Sequence, residues 1–75
     1  MDAKAIGKKL VSLRGDKTQE EVAHAVGVSI SAIGMYESGK RIPRDGVKIA
    51  LANYYGMNIQ SLFFDEDVHL KCTTS

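Results

Sequence analysis

The chain has one cysteine, one proline, two histidines and no tryptophan. With Cys72 alone no internal disulfide can form, so packing must hold the fold and a reducing compartment suits it. A zinc centre needs about four soft ligands. His69 and Cys72 stand close in sequence but do not make such a site by themselves, and His24 reads as a surface residue of a helix. No nucleophile is set beside a base and no paired carboxylates suggest a catalytic cleft. The expectation is a protein with no enzyme activity, no cofactor and no metal. No apolar run approaches the roughly 20 residues that span a bilayer, and the basic-then-apolar opening of a signal peptide is missing. A cytoplasmic protein without a membrane partner is expected.

A chain of 75 residues, 44% of them hydrophobic, makes one small domain in which most apolar side chains are committed to the core. At this length no attached effector or self-cleaving domain is expected, and control is expected to come from abundance, dimerisation or a regulatory protein partner. The formal net charge is only +1, but it is unevenly spread. Residues 1–48 hold nine of the ten basic and six of the nine acidic residues, net +3, whereas residues 49–75 carry net −2, mostly through Asp65, Glu66 and Asp67. A mildly basic working face with an acidic end held away from it fits this asymmetry.

After Asp2, a capping residue, "AKAIGKKLVSLR" spaces Ile6, Leu10 and Leu13 along one face of a helix. "GDK" interrupts it. Thr18 with Glu21 three residues on is a capping box, opening a second helix with Val22, Ala23 and Val26 inward and Gly27 as its stop. Ser29 caps a third helix reaching about Ser38, closed by Gly39. Two short helices joined around a glycine form a helix-turn-helix. Pro43 keeps "KRIPR" extended. A fourth helix spans about Arg44 to Tyr55, with Val47, Leu51 and Tyr55 inward, and ends at Gly56. Asn58 caps a short fifth helix carrying Ile59, Leu62 and Phe63. The predicted fold is all-α: a compact five-helix domain over residues 1–64 without a sheet, followed by an acidic tail, 65–75.

On the third helix Ile33 and Tyr36 face the core, leaving Ile30, Ser31, Gly34 and Met35 outside. An exposed Ile and Met can be ordinary surface residues. As a reading surface, Ile30 and Met35 would touch thymine methyl groups in the major groove while Ser31 bonds a base edge or a phosphate. Gly34 would let the helix sit close. The starts of the second helix (Thr18) and third helix (Ser29) present free amides to phosphates, and Lys40, Arg41 and Arg44 follow the third helix where they can grip a strand.

The segments "TQEEVAHAVGVSISAIGMYESGKRIP" and "LANYYGMNIQSLFF" resemble the DNA-binding domain of phage repressors and Cro-type regulators, the XRE family. The likeness runs through Thr18, Gln19, Val22, Ala23, Gly27, Val28, Ser29, Ile33, Tyr36, Glu37, Gly39, Arg41, Pro43, Leu51, Ala52, Gly56, Met57, Leu62 and Phe63. It implies a lambda-repressor-like domain that binds double-stranded DNA as a transcriptional regulator, as a homodimer on an inverted repeat. It also implies a base or phosphate contact by Gln19 and a structural ion pair between Arg14 and Glu37. Two departures stand out. The turn between the first two helices is about two residues shorter than the family's usual one, and the third helix offers Ile30, Ser31, Gly34 and Met35 where the family often offers Gln, Asn, Arg or Lys. An apolar reading helix suits a rival role, a protein-interaction module of antirepressor or antitoxin type. Phe64, Val68 and Leu70 either pack on their own domain or form a dimer interface.

Overall fold

The computed structural model describes residues 2–64, apart from the side chain of Phe64; the tail 65–75, with Val68, His69, Leu70 and Cys72, lies outside the described residues. Among the described residues there are four α-helices, α1 (Ala3–Arg14), α2 (Gln19–Val26), α3 (Ile30–Ser38) and α4 (Asp45–Tyr54), and a fifth helical segment, Gln60–Phe64, wound as a wider π-helix. No helix among them is long and apolar enough to cross a membrane.

Local chemistry accounts for the helix ends. Asp2 Oδ1 accepts from the Lys4 amide at 3.0 Å. Thr18 Oγ1 accepts from the Glu21 amide at 3.0 Å while Glu21 Oε1 accepts from the Thr18 amide at 2.9 Å, so two amides with no helical partner are satisfied reciprocally. Ser29 Oγ accepts from the Ala32 amide at 3.0 Å, and Asn58 Oδ1 from the Ser61 amide at 2.7 Å. Gly27 turns the chain between α2 and α3 at φ +78°, a left-handed conformation that a side chain would strain. The last turn of α4 is one residue shorter than the spacing suggested, with Tyr55 as its C-terminal cap.

The core joins Ile6 and Leu10 of α1, Val22 and Ala23 of α2, Ala32, Ile33 and Tyr36 of α3, Leu51 and Ala52 of α4, and Leu62 and Phe63. Leu13, Val26, Val47 and Tyr55 pack against this cluster only partly buried. Helix α1 lies against α3, and the pair meets so closely that a Cβ on Gly7 would stand 2.5 Å from the Glu37 carbonyl oxygen and 2.8 Å from that of Tyr36. Lys9 Nζ donates to the Ser61 carbonyl at 3.2 Å and ties α1 to the fifth segment. Lys48, one of the nine basic residues of the first 48, is only 8% exposed. Its ammonium stands 5.7 Å from the centre of the Phe63 ring and 4.0 Å from Asp45 Oδ1, so its charge serves the core's edge rather than the basic face.

Candidate nucleic-acid interface

At about 100° per residue, Ile30, Ser31, Gly34 and Met35 span an arc of about 140° on α3, opposite the arc that buries Ala32, Ile33 and Tyr36. Ile30 is 48% and Met35 37% exposed, and Ser31 is open to solvent. Helix α3 thus offers an apolar stripe with one hydroxyl and a glycine gap. Its counterpart on α2 is Gln19, half-buried, whose amide lies over that gap: a Cβ on Gly34 would be 3.9 Å from both Gln19 Nε2 and Oε1. The packing of α2 on α3 brings together two positions 15 residues apart in the sequence.

The two helix starts differ in electrostatics. Thr18 and Ser29 are both exposed, and each hydroxyl already accepts from its own helix, which leaves its proton to donate to a phosphate. Helix α2 has Glu20 and Glu21 in its first turn, whereas α3 has no acidic residue there. Carboxylates offset the positive end of a helix dipole, so that of α2 is countered by its own first turn and that of α3 is not.

Lys40, Arg41 and Arg44 are exposed on the extended stretch that leaves α3. Buried Pro43 pins that stretch to the domain and holds the three cations at its surface. Ile42 stands among them 39% exposed, an apolar neighbour of the basic group that the sequence reading passed over. His24 is exposed on α2.

Behind the surface sits a polar network. Arg14 Nε donates to Glu37 Oε2 at 2.7 Å, and Arg14 Nη1 donates to the Lys17 carbonyl at 2.7 Å, closing the short turn between α1 and α2. Gln19 Nε2 donates to the other Glu37 oxygen, Oε1, at 2.9 Å. The Glu37 side chain is 6% exposed and that of Arg14 22%, so the carboxylate is the desolvated partner. Its hydrogen bond raises the Arg14 guanidinium above the ordinary arginine value, partly countered by desolvation. Burial, helped by the nearby Glu37 charge, pushes the Tyr55 hydroxyl up to about 12. The contact between Gln19 and Glu37 had no sequence signal: the two residues lie 18 apart and are joined only by the crossing of α2 and α3.

Residues 9–62 match the sequence pattern of a family described as helix-turn-helix. No curated protein and no solved structure matches the chain.

Proposed function

Because the chain belongs to the helix-turn-helix family of XRE type, a family of DNA-binding transcription regulators, we propose that it is a repressor of phage or mobile-element type that binds an inverted repeat in double-stranded DNA as a homodimer. The observation that carries this reading is the outward arc of α3, Ile30, Ser31, Gly34 and Met35, flanked by the α2 and α3 starts and by exposed Lys40, Arg41 and Arg44. Apolar side chains meet thymine methyl groups, and the helix starts and cations meet phosphates on either side. A bidentate side-chain pair discriminates between bases by about 1–3 kcal/mol, and α3 presents no side chain able to make one. Selectivity therefore draws on Gln19, on DNA shape and on two copies binding together. Two reading helices about 34 Å apart enter successive major grooves of the same face. Occupation of a promoter then blocks transcription sterically, in the cytoplasm where the DNA lies.

Selection of bound sequences from a random duplex library tests this reading. The expected product is an inverted repeat with thymines where Ile30 and Met35 lie, and an affinity that falls steeply with salt as counterions return to the phosphates. Absence of enrichment at low salt would exclude sequence-specific DNA binding and favour the protein-interaction role, for which the exposed Ile30 and Met35 provide the apolar surface.

A further inference from the structure

The Glu37 carboxylate has two oxygens and two different partners. Arg14 takes Oε2 and Gln19 takes Oε1. An ionised carboxylate only accepts hydrogen bonds, so the Gln19 amide must turn its nitrogen inward, toward Glu37. A primary amide carries two N–H donors at one end and its acceptor at the other; with one Nε2 proton given to Glu37, Gln19 Oε1 is the acceptor left outward. Oε1 has no hydrogen-bond partner among the described residues and is not buried. The amide lies across the side-chain gap at Gly34, on the outward arc of α3.

We propose that Glu37 is a positioning residue that sets the hydrogen-bonding polarity of Gln19, so that Gln19 presents a carbonyl oxygen to the groove and selects a base carrying an exocyclic amine, adenine at N6 or cytosine at N4. This rests on the DNA-reading role proposed above and names what Gln19 reads. Guanine O6 and thymine O4 are acceptors in the major groove and cannot bond a carbonyl oxygen. The arrangement also predicts an inversion. In Glu37→Gln the new amide must turn its oxygen to Arg14, which has only donors, and its nitrogen to Gln19. Gln19 then turns over, accepts with Oε1, and faces the groove with its donor end.

Wild type, Gln19→Met and Glu37→Gln are each selected against a random duplex library, with folding followed by circular dichroism. Gln19→Met is expected to flatten the preference at one base pair per half-site, a loss of about two- to tenfold, the worth of one hydrogen bond. At that same pair wild type selects adenine or cytosine on the strand that Gln19 faces, and Glu37→Gln switches that strand to guanine or thymine while the other positions hold. A merely structural Glu37 would weaken binding at every position alike and leave the preference in place, and that result overturns the proposal. So does a wild-type choice of guanine or thymine there, or a Gln19→Met profile identical to wild type. If wild type selects a site and only the switch fails, the DNA-reading role stands and the positioning role falls; if wild type selects nothing, both fall. Should Glu37→Gln not fold, amide exchange in the wild type decides. The Gln19 side-chain amide is expected to exchange several-fold more slowly than that of exposed Gln60, and equal rates overturn the proposal.

Discussion

Gly7 and Glu37 meet backbone to backbone: the position a Cβ would take on Gly7 is 2.5 Å from the Glu37 carbonyl oxygen and 2.9 Å from its carbonyl carbon. No real Cβ approaches a backbone so closely, and the obstacle is the rigid end of α3, which cannot swing aside as a side chain would. Gly7→Ala must push α1 off α3. The expected cost is about 1–3 kcal/mol, the usual range for overpacking. Each kcal/mol lowers the Tm of a domain this size by about 4–8 °C, which a thermal melt resolves. An unchanged Tm would contradict the close approach.

The ion pair between Arg14 and Glu37 is asymmetric in exposure, and its two halves should differ in worth. Arg14→Met leaves a desolvated carboxylate with only the Gln19 amide for company, at an expected cost of about 3–5 kcal/mol. Glu37→Gln keeps an amide oxygen for Arg14, whose guanidinium also keeps its bond to the Lys17 carbonyl, so only the charge is lost, at about 1–2 kcal/mol. Urea unfolding of the two variants should rank them in that order.

Tyr55 gives the fold an alkaline limit. Its hydroxyl titrates at about 12 in the fold, chiefly through burial, against an ordinary value of 10.0 in the unfolded chain. Between those values the unfolded state releases its proton first, so stability attributable to Tyr55 is intact below pH 10 and falls as the pH rises toward 12. Lysines also titrate there, but Tyr55→Phe isolates the tyrosine: its stability should decline less than that of wild type across this window.

Lys40, Arg41 and Arg44 can be counted through salt. Each one that neutralises a phosphate contributes about one unit to the slope of log affinity against log salt concentration, so each alanine variant should flatten that slope by about one. Lys48→Ala should leave the slope nearly unchanged and lower the Tm, because Lys48 is buried beside Phe63. A slope change for Lys48 equal to that for Arg41 would reverse this assignment.

Ser29 and Thr18 cap their helices alike but differ in electrostatic setting. Either alanine variant should lose about 1 kcal/mol of stability. Ser29→Ala is expected to weaken DNA binding more than Thr18→Ala, since Glu20 and Glu21 already occupy the positive end of α2. Affinities measured well below both melting temperatures separate the two effects.

Much of this molecule is local and could be read along the chain. Asp2, Thr18 with Glu21, Ser29 and Asn58 act on amides two or three residues away, and Gly27 and Gly39 act on their own backbone. Interactions of that reach depend only on neighbouring residue types, so the helices, the ends that these residues cap and the helix-turn-helix follow from the sequence itself, whereas the last turn of α4 and the π-helical winding of Gln60–Phe64 do not. The apolar spacing likewise separates inward Ile33 and Tyr36 from outward Ile30 and Met35.

Other features depend on how closely two helices cross, a quantity no local spacing carries. The missing side chain at Gly7 matters only because α3 ends against it, and the gap at Gly34 only because the Gln19 amide lies across it. Lys48 reads like its basic neighbours in the sequence but packs at the edge of the core. The bond from Gln19 to Glu37 forms because α1, α2 and α3 deliver Arg14, Gln19 and Glu37 to one half-buried point. The sequence by itself determined which helices form and which faces they bury. Tertiary packing decided which polar atoms remain outward, because a desolvated carboxylate takes the donors within its reach and leaves the acceptors to solvent.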